Sequence, residues 1–126
     1  MDRVYQGVRD RRGIPEIYVL ESTRRLTLHE QLVLTRPIEF DWGYCGKEPR
    51  NLALSLLADA LEGGDHPLVD ELYERLHDEL VGELPAEGWQ IRQVRILDWA
   101  FGKIPRIPVE PLPLELLGGG VTPELN

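Results

Sequence analysis

The chain has 126 residues, 14 Lys/Arg against 22 Asp/Glu for a formal net charge of −8, 42% hydrophobic residues and one cysteine. That length fits a single core, and the composition excludes the disordered, collagen-like and coiled-coil classes. A lone Cys45 excludes an internal disulfide or a paired-thiol metal motif and agrees with a reducing compartment. No apolar run approaches the roughly 20 residues of a membrane-spanning helix, and MDRVYQGVRD lacks the apolar centre of a signal peptide, so the reading is a cytoplasmic protein away from membranes.

The first strand signal is RVYQGVR, where Val4, Tyr5 and Val8 favour extended backbone up to the turn-like DRRG. A second run, IPEIYVLES, follows, and the two read as a hairpin. Ile17 and Val19 face one way and Tyr18 and Leu20 the other, so this strand suits the interior of a sheet. LTLHEQLVL reads as a third strand or an irregular crossing, barred from simple continuation by Pro37. RPIEFDW alternates Ile38, Phe40 and Trp42 against Glu39 and Asp41, the cleanest period-2 segment.

Next comes the hinge WGYCGKEP. Pro49 suits a first helical turn, and Ala53, Leu56, Leu57, Ala60 and Leu61 form one stripe of a largely buried helix, which Gly63 and Gly64 are expected to stop in the left-handed conformation. Asp65 and Pro67 open a second helix reaching to Pro85. Its Leu68, Leu72, Leu76 and Leu80 line one face, widened by Val69 and Tyr73, while Asp70, Glu71, Glu74, Asp78 and Glu79 face water. The short connection makes the two helices antiparallel. Trp89 and Ile91 predict a short strand, and Val94, Leu97 and Phe101 a terminal helix closed by Gly102 and Lys103. The expected architecture is α+β: residues 1–103 form one domain with a small, mainly antiparallel sheet, covered on one face by the helical pair and the terminal helix. Residues 104–126, rich in proline and leucine, run as an extended C-terminal tail.

The hinge is the one candidate ligand site. A glycine-containing turn feeding a helix N-terminus can hold an anion, with Lys47 and Arg50 adding charge and Trp42 and Tyr44 offering rings for stacking. Against this, GYCGKEP matches neither the phosphate loop nor the dinucleotide loop, and Glu48 places a negative charge where an anion would sit. The structural alternative makes the hinge a device that turns strand into helix and Trp42 a core residue. His29, His66 and His77 lack metal-ligand spacing, and His66 and His77 read as solvated surface. Cys45 reads as a small, partly buried residue, although a nearby histidine would make it a nucleophile. Asp59 and Asp98 sit inside apolar helix patterns, on an outward edge or held by a partner such as Arg92 or Arg95. No metal, cofactor or catalytic set is expected.

The run FDWGYCGKEPRNLALSLLADAL, the acidic helix after it and LPAEGWQIRQVRILDWAF together resemble a family of small uncharacterised bacterial and phage proteins. That family's pattern is F-x-W-G-Y-x-G-x-G-P-x-x-L-A-x-S-L-L-x-D, with a closing W-x-I/L and I-x-x-W segment. The matching residues are Phe40, Trp42, Gly43, Tyr44, Gly46, Pro49, Leu52, Ala53, Ser55, Leu56, Leu57, Asp59, Trp89, Ile91, Ile96 and Trp99; Glu48 stands where the pattern has its loop glycine. The resemblance spans roughly residues 3–100. It implies a fold unit of unknown function and a mobile-element or bacterial context, and carries over no activity.

Charge is spread unevenly. Residues 1–36 hold seven Arg against five acids, and residues 37–126 hold seven Lys/Arg against seventeen acids. The acidic bulk repels phosphate backbones, which argues against nucleic acid; Arg9, Arg11, Arg12, Arg24 and Arg25 are where such a contact would form. The favoured expectation is a non-enzymatic interaction or regulatory protein that meets a protein partner, or another copy of itself, through its acidic surface and its tail. The alternative is a small-molecule or anion-binding domain, conceivably an enzyme, with Trp42, Tyr44, Lys47 and Arg50 at its site.

Overall fold

Among the described residues four antiparallel strands form the sheet, in the order β3-β2-β1-β4. The hairpin joins β1 (Val4–Arg9) to β2 (Pro15–Glu21). Asp10 shapes its turn: one carboxylate oxygen accepts from the Arg12 and Ile14 backbone N–H groups at 2.8 and 2.9 Å. These bonds, the one from Ile14 first, hold the Asp10 carboxyl below its ordinary range. β3 (Arg24–Thr27) adds to β2, which therefore lies inside the sheet. β4 (Trp89–Arg92) returns from the helices to pair with β1. The computed structural model describes residues 3–21, 24–27 and 40–113. Most of LTLHEQLVL, residues 37–39 of the period-2 segment, His29 and the tail beyond Pro113 lie outside them. Phe40 to Trp42 carry no strand ladder.

Register fixes the core face. Tyr5 stands opposite Val19 and Ile91, and Gly7 opposite Ile17 and Trp89. Directly opposed residues share a face, and all of these side chains are buried. The Trp89 indole lies so flat on β1 that a Cβ on Gly7 would run into it.

Helix α1 (Lys47–Ala60) is buried almost all round from Leu52 onward, including Leu52, Ala53, Leu56, Leu57 and Ala60. It ends in a Schellman motif: the Gly63 N–H donates to Ala58 O at 2.9 Å and the Glu62 N–H to Asp59 O at 3.1 Å. The left-handed residue is Glu62 (φ 61°), not a glycine, so the expected stop sits one residue early and on a side chain that pays for that conformation.

Helix α2 (Pro67–Glu79) is capped by His66, whose Nδ1 accepts from the Leu68 N–H at 3.1 Å. His66 is thus a half-buried cap and not solvated surface. The helix also stops short of Pro85. Leu80 leaves helical geometry (φ −128°, ψ −63°), and a 3₁₀ turn, Val81–Glu83, follows. Gly82, a poor helix former, lies against Cys45 there, and the Val81 carbonyl accepts the Gly43 N–H at 3.0 Å.

β4 runs directly into α3 (Gln93–Ala100). The inward face of α3 is Gln93, Ile96 and Trp99, while Phe101 is 56% exposed, so the expected Val94/Leu97/Phe101 stripe is out of phase. Gln93 sets the rotation. Its N–H donates to Arg3 O at 2.8 Å, its Oε1 accepts from the Arg3 N–H at 3.3 Å, and its Nε2 donates to Ala60 O at 3.0 Å. The result is a small α+β fold whose sheet and helices share one core.

Candidate functional site

The hinge is nailed to α2 and the segment after it by three bonds. Trp42 is 1% exposed, and its Nε1–H donates to Pro85 O at 2.9 Å. Gly43 is held by Val81, and the Gly46 N–H donates to His77 Nε2 at 3.1 Å. The Trp42 ring meets Trp89 edge-on at 5.5 Å, and the Arg9 guanidinium sits 4.3 Å above it. Arg9 in turn pairs with Asp41 at 2.9 Å and donates to Ala86 O at 2.7 Å.

The four candidate residues do not converge. Trp42 points into the core, whereas Tyr44 is 44% exposed and donates from its hydroxyl toward Asp41 and Glu48 at 3.2 and 3.4 Å. Lys47 is exposed, and Arg50 turns to Glu74 on α2 at 3.0 Å. Partial burial and the two carboxylates push the Tyr44 hydroxyl up to about 12. Its folded value lies above its unfolded one, so the stability it carries is complete below pH 10 and is lost as pH rises through about 12. An absorbance titration of phenolate should show Tyr44 ionising late, and Asp41→Asn should bring it earlier. Titration of Tyr44 with solvent-exposed tyrosines would remove both carboxylates from its surroundings.

His77 corrects a sequence expectation. It is fully buried, and with Cys45 and Asp78 it places three ligand-type atoms within 4.8 Å of one another. Because the Gly46 N–H donates to Nε2, the neutral ring carries its proton on Nδ1, which faces Asp78 Oδ1 at 2.8 Å. The ring's single lone pair is therefore spent on the hinge backbone, leaving none for a metal or for the Cys45 thiol. Cys45 is exposed, against the expectation of partial burial. His77 lies one helical step from Tyr73 and two from Val69; that spacing is the signal that places it on the inward face.

Asp59 has partners other than those expected. Its Oδ2 accepts from the Tyr5 hydroxyl at 2.6 Å and from Arg3 Nη1 at 3.1 Å. Burial first, and then the Asp59 charge, raises the Tyr5 hydroxyl far above its ordinary value. Asp98 pairs with Arg95 at 3.7 Å.

A cleft of about 910 Å³ opens between the end of α2, the loop before β4 and residues 105–112. Its buried lining includes Leu76, Leu80, Leu84, Trp99, Ile107 and Leu112; its exposed lining includes Asp78, Glu79, Glu83, Glu87 and Glu110, with Arg106 the one cation among the described lining residues and Arg75, paired with Glu79, 5.0 Å from the Trp99 ring. Glu110 exchanges both backbone bonds with Gln90 at 2.9 Å, which lays this part of the tail beside β4. Gly88 (φ 143°) forms the socket for Leu112: a Cβ there would occupy the Leu112 side chain's place. None of Trp42, Tyr44, Lys47 or Arg50 lines this cleft.

A family model described as "Family of unknown function (DUF6166)" matches residues 5–102. The chain belongs to this family. The DUF6166 match begins at Tyr5 and ends at Gly102, so it takes in the Tyr5–Asp59 bond, the hinge and His77, while the tail that walls the cleft lies beyond it. No curated protein and no solved structure matches the chain. Among the described residues no helix is long and apolar enough to cross a membrane.

Proposed function

We propose that this DUF6166 protein is a non-enzymatic interaction protein that engages a positively charged protein partner through its acidic surface. One observation carries the reading. Residues 65–87, spanning α2 and the loop to β4, hold eight acids against one arginine, which is −7 of the chain's −8. Most of these acids are exposed on the described surface, where a cationic partner gains by steering and by local pairing. The groups best suited to chemistry are meanwhile engaged inside the fold: His77 with Gly46 and Asp78, and Asp59 with Tyr5 and Arg3.

A lysine-rich peptide should bind the full-length protein in low salt and lose most of its affinity at 0.5 M salt, where the screening length falls to a few ångströms. Reversing Glu71 and Asp70 together with Glu83 and Glu87 to lysine should abolish binding while leaving the melting temperature close to that of the parent. Binding that ignores salt and survives the reversal would sink the proposal.

A further inference from the structure

We infer that the cleft between the end of α2 and residues 105–112 is a docking groove for a basic peptide segment bearing leucine-like apolar anchors. This rests on the acidic-surface reading and adds to it a place and a chemistry. The rim holds five exposed carboxylates; Arg75 pairs with one of them, Glu79, at 3.0 Å, and Arg106 is the one cation among the described lining residues. Among the described residues Glu83, Glu87 and Glu110 have no ion-pair partner, so their charge is left for an occupant. The floor is different in kind. Leu80, Leu84, Trp99, Ile107 and Leu112 are each at most 8% exposed, yet they face the cleft, and Val109, 37% exposed, stands beside them. Carboxylates around an apolar floor match a chain that alternates Lys or Arg with apolar side chains.

At about 910 Å³ the space lies at the upper end of what a small ligand fills and admits several residues of a peptide. Charge selects among occupants. A second copy of this chain brings a net −8, and the chain's own residues 114–126 bring two glutamates and no basic residue. The tail would meet the rim with like charge, and a second copy would add a net −8 beside it. A cationic segment meets it with opposite charge, and its apolar side chains can reach the floor.

The test uses the full chain and two synthetic peptides of equal charge, one alternating lysine with leucine and the other with serine in place of leucine. Binding is read by fluorescence anisotropy and by amide shifts. The leucine peptide should bind about tenfold tighter or more, since each buried leucine is worth at least a factor of ten. Its shifts should fall on residues 78–88 and 105–112. Val109→Ser should weaken the leucine peptide roughly fivefold and leave the serine peptide unchanged. Equal affinities, or shifts confined to the outer face of α2, would overturn the groove and leave the acidic-surface reading standing. Failure of both peptides to bind at low salt would overturn the two together.

Discussion

Trp42→Ala is expected to destabilise the protein by about 3–5 kcal/mol, a large part of the 5–15 kcal/mol that holds a domain of this size together. The indole is almost wholly buried, stacks edge-on with Trp89, supports Arg9 and donates to Pro85 O. Truncation removes all four contacts and leaves a cavity at the junction of sheet and helices. Trp42→Phe keeps most of the ring and orphans only the Pro85 carbonyl, so its cost should be much smaller. Lys47→Ala, five residues on at an exposed position, should stay within about 0.5 kcal/mol. Urea denaturation of the three variants checks the ranking. Comparable losses from Trp42→Ala and Lys47→Ala would contradict a hinge whose work is structural.

Asp59→Ala should cost about 3 kcal/mol. It strips the acceptor from a buried Tyr5 hydroxyl at 2.6 Å and takes a carboxylate at 3.1 Å from Arg3, which is one-fifth exposed. Losing one partner of a buried pair is expensive because the other remains desolvated. Asp59→Asn keeps an oxygen for Tyr5, and Tyr5→Phe leaves Asp59 paired with Arg3, so both should lose less. Chemical denaturation of the set measures this order. An Asp59→Ala variant as stable as the parent would mean that the bond joining β1 to α1 carries no weight.

Both variants bear on how much of this fold the sequence discloses. Period-2 runs with two apolar faces placed β2 inside the sheet, and the 3.6-residue stripes found both long helices, because those signals follow from local geometry. Helix ends and phases were harder to read. Glu62 takes the left-handed position that Gly63 and Gly64 suit better, and the α3 stripe is turned by Gln93, which reaches across to Arg3 and Ala60. The phase of α3 is set by contacts 33 and 90 residues apart in sequence, which no local window contains. The same holds for His77. Beside charged neighbours it reads as solvated, and only the approach of the hinge gives its ring a backbone N–H to accept. The cleft was the least visible feature, since its two walls come from the end of α2 and from a tail whose prolines predict only that it is extended.

The hinge is bolted to α2 and the segment after it through Gly43, Gly46 and Trp42, and the proposed partner groove lies elsewhere. Native-state hydrogen exchange measures this directly. The amides of Gly43 and Gly46 and the Trp42 indole N–H should exchange only with the core, at free energies near that of global unfolding. Exchange of these three protons at the rate of a solvated loop would show that the hinge is an open segment and would contradict the account.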